Sequence, residues 1–212
     1  MLGMIRKYVK PFPRVVGKAL AVLPLTPNQF TFLSVILAGI SVYFLANKSY
    51  LIGAVFVGMA MLIDFLDGSF AEAKGQKTYF GNYFDAMMDK AVEVIIYIGI
   101  AFTHPILSIT AISTTMLLSY AKPRVALVIE TDNHDWPGIG ERPDRLLILL
   151  VGLVVVHFLQ KEPYVSIDAL RIVLIIVIVI TFIGFLQRMV YARKLIDKAA
   201  KTGKILPYLR KK

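Results

Sequence analysis

The chain has no cysteine, one tryptophan and three histidines, and its 14 acidic residues are outnumbered by 24 basic ones over 212 positions. Without thiols, disulfides, thiolate nucleophiles and cysteine-ligated metals are excluded. A cleavable leader is not expected either, because the first apolar run follows a basic, proline-broken stretch with no small-residue cleavage site. What the chain has in excess is apolar surface: 57% of its residues are hydrophobic and its mean hydropathy is +0.68, above an ordinary soluble domain. The apolar segments leave no room for a sizeable soluble domain, so a single all-α integral membrane domain is expected. In that setting the net charge of +10 points to basic ends facing anionic lipid, and no nucleic-acid partner is expected.

About twenty apolar residues span a bilayer as a helix. Six segments qualify: Thr26–Ala46, Tyr50–Ala73, Phe80–Phe102, Pro105–Glu130, Pro143–Leu159 and Ser166–Ala192. They divide the chain into a basic juxtamembrane segment (1–25), a six-helix catalytic domain (26–192) and a basic tail (193–212). Within the first part, Arg14–Leu23 mixes basic and apolar residues and is expected to lie in the membrane interface as an amphipathic helix. An even number of spans puts both termini on one side. All but three of the 24 basic residues then fall on that side, the exceptions being Lys48, Lys161 and Arg171. The positive-inside rule makes that side cytoplasmic.

Four acids interrupt this apolar pattern. Asp64 and Asp67 lie three residues apart in the second segment, and Asp85 and Asp89 lie four apart in the third. Either spacing puts a pair on one helix face. The short Gly75–Tyr79 link makes the two segments antiparallel neighbours, so the pairs are expected to face each other near the cytoplasmic ends. Four aspartates at membrane depth would cost on the order of 10 kcal/mol if nothing offset them. Hard divalent cations relieve such crowding. Two ions about 3.5–4 Å apart can hold a phosphate together with an attacking and a leaving oxygen. Gly68 and Gly81 flank the acids and give a bulky ligand access. A cation path through a channel or transporter is the competing reading, and it is disfavoured because the carboxylates gather at one depth.

These residues also resemble the signature of the CDP-alcohol phosphotransferase family, D-x2-D-G-x2-A-R-x8-G-x3-D-x3-D. Asp64, Asp67, Gly68, Ala71, Gly81, Asp85 and Asp89 occupy its fixed positions, and only the arginine differs, being Glu72 here. The resemblance implies a dimeric enzyme that transfers a phosphoalcohol from a CDP-linked donor and releases CMP, using Mg²⁺ or Mn²⁺. It assigns Asp64, Asp67 and Asp85 to metal and diphosphate, and Asp89 to metal and to deprotonation of the acceptor hydroxyl. Gly68 and Ala71 would leave room for the cytidine, with Gly81 beside them. Either Lys74 or Lys77 replaces the lost arginine, or donor binding differs. A further reading is a family member without catalysis, kept as a scaffold, and Glu72 is the only feature that favours it.

On the same side lie Ser119-Tyr120-Ala121-Lys122-Pro123-Arg124, Glu141-Arg142-Pro143-Asp144-Arg145 and Gln187-Arg188. Arginine forks and lysine point charges suit a phosphorylated acceptor. This part resembles the phosphatidylinositol-phosphate synthase branch, also represented by archaetidylinositol-phosphate synthases. The matching positions imply that Lys122, Arg145 and Arg188 bind inositol phosphate. Glycerol phosphate, serine or a soluble CDP-polyol are the alternative substrates, and lipid headgroup anchoring is the alternative role for the cations. Glu93, one turn beyond Asp89, is read first as a hydrogen-bonded structural carboxyl. The loop Glu130–Trp136 is read as solvated rather than as a metal site, with Trp136 an interfacial anchor. His104 and His157 have no partner in sequence.

Overall fold

The computed structural model describes residues 11–130, 136–160 and 168–206. Among the described residues it is a bundle of seven helices: α1 (Pro11–Leu20), α2 (Pro27–Ala46), α3 (Tyr50–Ala73), α4 (Tyr79–Ala101), α5 (Pro105–Ala126), α6 (Arg142–Leu159) and α7 (Ala169–Thr202). The expected Arg6, Lys7 and Lys10 of the first segment, most of the Glu130–Trp136 loop, Lys161, Ser166 and the last basic residues lie outside the described part.

Local chemistry sets the helix starts. Thr26 caps α2 through a reciprocal pair of bonds with Gln29, and Pro27 follows at the first helical turn, where its missing N–H costs nothing. Thr78 caps α4 by accepting from the Gly81 N–H at 2.9 Å. Pro105 and Pro143 open α5 and α6. The last helix departs from expectation. It does not stop near Ala192 but runs 34 residues to a left-handed cap at Gly203. The stretch Arg193–Thr202 is rich in Ala, Leu and Lys, which favour helix, so the supposed tail boundary falls inside one continuous helix. At about 1.5 Å per residue this helix exceeds the roughly 30 Å hydrocarbon core of a bilayer.

Among the described residues, three helices are long and apolar enough to cross a membrane: α2, α3 and α7. Of the others, α4 carries Asp85, Asp89, Lys90 and Glu93, α6 opens with Arg142, Asp144 and Arg145, and α5 is rich in Ser and Thr.

The helix order in space corrects the sequence reading at one point. α3 and α4 are not packed side by side. Both lie against α2 and barely touch each other. Gly99 permits this arrangement: a side-chain carbon there would come within 3.0 Å of the Val42 backbone on α2. The acids on α3 and α4 therefore line an opening between the two helices, closed on one side by α2. Beneath them the main core joins Leu45, Val57, Ile96, Leu149, Leu153, Leu174 and Val177 from five helices. A smaller cluster seats α1, where Val16 and Leu20 meet Leu66 and the stacked rings of Phe30 and Phe70, 4.4 Å apart. A third cluster binds the α5 end to the outer part of α7 through Val125, Ile129, Ala192 and Ala199, with an antiparallel bridge between Ile129 and Ile205.

Two side chains without partners in sequence find them here. His104 Nε2 lies 3.2 Å from Asp168 Oδ1, because the bundle brings the α4–α5 turn to the start of α7. Trp136 packs edge-on against Tyr191, with ring centres 5.4 Å apart. His157 meets the neighbouring Phe158 ring in an edge contact.

Candidate active site

Asp64, Asp67 and Asp85 each place a carboxylate oxygen within 4.8 Å of the other two. Asp67 is the most buried of the trio and accepts a 2.9 Å hydrogen bond from the Thr31 hydroxyl of α2. Thr31 thus fixes one carboxylate while leaving others to turn toward a ligand. Three crowded carboxylates repel one another in a weakly screened setting. Hard cations with oxygen ligands fit that donor set.

Asp89 lies off the trio. It is joined to Asp64 by one nitrogen of Arg142: Nη1 sits 2.7 Å from Asp64 Oδ2 and 2.6 Å from Asp89 Oδ1. The expectation of two facing carboxylate pairs is met by three acids together and the fourth paired with an arginine. The other two nitrogens of that guanidinium, Nε and Nη2, are buried without a hydrogen-bond partner among the described residues.

A cleft of about 300 Å³ opens beside the trio. Asp67, Gly68, Ala71, Lys77, Gly81 and Asp85 line it, so five of the residues in the aspartate–glycine pattern share one wall with a lysine. Gly68 meets nothing within 4 Å of where a side chain would begin, so any larger residue would project into open space there. The Glu72 question is also resolved in part. Glu72 pairs with Lys77 at 2.7 Å and lies 3.9 Å from Arg14. Lys74 is bound to the carbonyls of Leu23 and Leu25 at 2.6 and 2.7 Å, holding the α1–α2 connection, and does not line the cleft. Lys77 is therefore the lysine placed to meet a ligand.

One turn beyond Asp89, the chemistry changes. Glu93 is fully buried and grips Arg145 with both oxygens, Nη2–Oε2 being 2.7 Å. Arg145 also donates to the Gly140 carbonyl at 2.8 Å and to Ser119 Oγ at 3.2 Å. Gly140 has φ +68°, a left-handed turn that suits glycine, and that turn aims its carbonyl at the guanidinium. Arg188 is buried nearby and donates to Leu118 O at 3.0 Å, Glu141 at 3.3 Å and Pro137 O at 3.4 Å. Arg145 and Arg188 thus share one turn of α5 and one loop. Lys122, the third expected phosphate ligand, is half-buried and makes no hydrogen bond or ion pair with the described residues. Reasoning from sequence put Arg142 in a general basic cluster and passed over Thr31 and Ser119. The packing of α3 against α2 and α6 gives Thr31 and Arg142 their place, and the Arg145 guanidinium reaches across to Ser119 on α5.

The comparisons agree with this geometry. The CDP-alcohol phosphatidyltransferase family matches residues 24–183. The archaetidylinositol phosphate synthase of Pyrococcus horikoshii is 27% identical over 93% of this chain and 99% of its own. The phosphatidylinositol phosphate synthase of Mycobacterium tuberculosis is 33% identical over 68% of this chain and 69% of its own. The crystal structure of that M. tuberculosis enzyme with CDP-DAG bound superposes with a TM-score of 0.71, at 27% identity, covering 85% of this chain and 92% of the other. A motif of seven matching positions, a cleft built from those positions and a family match over most of the length lead to one conclusion: the chain belongs to the CDP-alcohol phosphatidyltransferase family.

Proposed function

We propose that this protein transfers the phosphatidyl-type group of a CDP-activated lipid to a hydroxyl of inositol phosphate and releases CMP, as a step of phospholipid synthesis in the membrane. The observation that carries this reading is the aspartate trio beside a cleft lined by Gly68, Ala71 and Gly81. The relatives named above, an archaetidylinositol phosphate synthase and a phosphatidylinositol phosphate synthase, support the substrate class.

The residues divide the work. Asp64, Asp67 and Asp85 would hold the metal and, through it, the donor diphosphate, with Thr31 keeping Asp67 oriented. Bound Mg²⁺ or Mn²⁺, two ions per site, would neutralise charge on the diphosphate as the bond to CMP breaks. Gly68, Ala71 and Gly81 leave space for the nucleotide, and Lys77 stands at the wall where the family arginine is missing. Asp89 takes the proton of the acceptor hydroxyl, whose oxygen then bonds to the lipid-bearing phosphorus while CMP departs. Lys122, Arg145 and Arg188 receive the acceptor phosphate. A guanidinium has five N–H donors, and the bonds described above leave at least one uncommitted on Arg145 and on Arg188.

The membrane frame follows the same reading. Six of the helices, α2 to α7, span the bilayer within residues 26–192. Segment 1–25 lies at the interface through α1, and α7 carries the start of the basic stretch 193–212, Arg193–Thr202, into the cytoplasm. Both termini and the aspartates face the cytoplasm, where CMP leaves, and the chain works as a homodimer. The long α7 supports the extension, because it exceeds the bilayer core.

The acceptor is tested by offering purified protein one CDP-lipid with Mg²⁺ and, in parallel, inositol phosphate, glycerol phosphate, serine and free inositol. Mass spectrometry should find a lipid product with inositol phosphate. A product with glycerol phosphate in its place would overturn the acceptor assignment and leave the transferase reading standing.

A further inference from the structure

Arg142 and Arg145 stand three residues apart at the start of α6, yet they are held in opposite ways. Arg145 has a carboxylate, a carbonyl and a hydroxyl as partners. Arg142 puts a single nitrogen between Asp64 and Asp89 and leaves Nε and Nη2 buried without partners. Asp89 Oδ1, although 2.6 Å from Arg142 Nη1, likewise has no aligned hydrogen bond. The Asp89 contact is thus one of charge, and Arg142 is held by a single hydrogen bond from Nη1 to Asp64, without the two parallel bonds that make an arginine–carboxylate pair strong and directional. A guanidinium so held can be exchanged for another cation more readily than one gripped by a fork.

Its position matters as much as its bonding. The oxygens it touches belong to Asp64, a member of the trio, and to Asp89, the acid just outside it. A divalent ion held by Asp64, Asp67 and Asp85 shares only Asp64 with Arg142, which makes no ion pair with Asp67 or Asp85 among the described residues. An ion held by Asp89 together with Asp64 would need the space and the lone pairs that Nη1 takes. Two cations there would repel each other in a medium that screens weakly.

We infer that Arg142 is a resident counter-ion that competes with the second divalent cation for Asp64 and Asp89, so that the second ion enters only as the guanidinium leaves. The inference rests on the metal-dependent reading of the aspartates and assigns a role to a residue outside the family pattern. The first ion, which shares one ligand with Arg142, is then less sensitive to it than the second, which binds weakly until Arg142 turns away. Arg142 lies in the first turn of its helix, so its side chain can swing without loss of backbone bonds in α6.

The test is a Mn²⁺ titration of the purified full chain, in which electron paramagnetic resonance counts free ions. The wild type should bind one ion tightly and a second weakly. In Arg142→Gln the second affinity should rise about tenfold, the size of an ordinary coupling between two ligands of one site. Arg142→Lys keeps a positive charge that reaches only one acid at a time, so it should lie between the two and remains informative if the glutamine variant does not fold. A second affinity that is unchanged or lower in the folded variants would overturn the inference while leaving the metal site intact. A wild type that binds no Mn²⁺ would overturn the metal reading itself, and the inference with it.

Discussion

Two charged regions lie about two helical turns apart on α4, and they are held together differently. Around Asp85, carboxylates crowd together, a cleft opens beside them, and the nearest cation leaves two nitrogens unpaired. Around Glu93, an acid and an arginine close on each other with both forks and with further bonds to a carbonyl and a hydroxyl. The same residue types crowd beside a cleft in one place and close into an ion pair in the other, where Arg145 keeps one N–H to spare. Burial alone does not distinguish them, because Asp67 in the first region and Glu93 in the second are both buried. What distinguishes them is whether each polar atom already has a partner within the protein.

That contrast can be broken by mutation. The largest effect is expected in the open region. Asp89→Asn should cut turnover by about 10²–10⁴-fold, the usual contribution of a positioned general base, while CDP-lipid binding measured separately stays near wild type. Unchanged turnover would remove Asp89 as the base. In the closed region the loss should appear in stability. Glu93→Gln leaves the Arg145 charge buried without its counter-ion and should cost about 3–5 kcal/mol, read from the denaturation midpoint. Replacing both residues with methionine should recover much of that loss, since a well-packed apolar pair often matches a buried ion pair. Failure of the double variant to recover would show that the pair does more than neutralise itself.

Smaller effects should sharpen the boundary between the two. Lys122→Ala should raise KM for the phosphorylated acceptor about tenfold, the loss of roughly one charge-assisted bond, with KM for the lipid donor unchanged. Equal changes in both constants would argue against a selective acceptor role. Lys77→Ala should raise KM for the CDP-lipid by a few-fold at most, because its ammonium is exposed and shared with Glu72. If Glu72→Gln gave a larger donor defect than Lys77→Ala, the acid itself and not the lysine would face the nucleotide.

The open region was legible in the sequence because its signal is local. Spacings of three and four residues on two consecutive helices put acids on one face whatever the rest of the bundle does, and the glycines sit within the same stretch. The closed region was only half legible. Glu93 continued the face and was read as structural, but its partner Arg145 lies 52 positions away and is supplied by α6, so no spacing rule reaches it. The same distance hid Arg142, which meets Asp64 across 78 positions. The placement of α2 between α3 and α4 was not visible either. A five-residue link suggests direct neighbours, whereas small residues such as Gly99 let both helices close on α2 instead. His104 failed for a related reason, as its partner Asp168 belongs to a helix that begins far along the chain.

The central claim, that the aspartate trio and its cleft make this chain a CDP-lipid transferase, is tested most directly by CMP release in a reconstituted membrane. Wild-type protein with CDP-lipid, Mg²⁺ and inositol phosphate should form CMP and lipid product in equal amounts, and Asp85→Asn, folded as judged by circular dichroism, should form neither. Equal product from both proteins, or none from metal-loaded wild type with any acceptor, would contradict it.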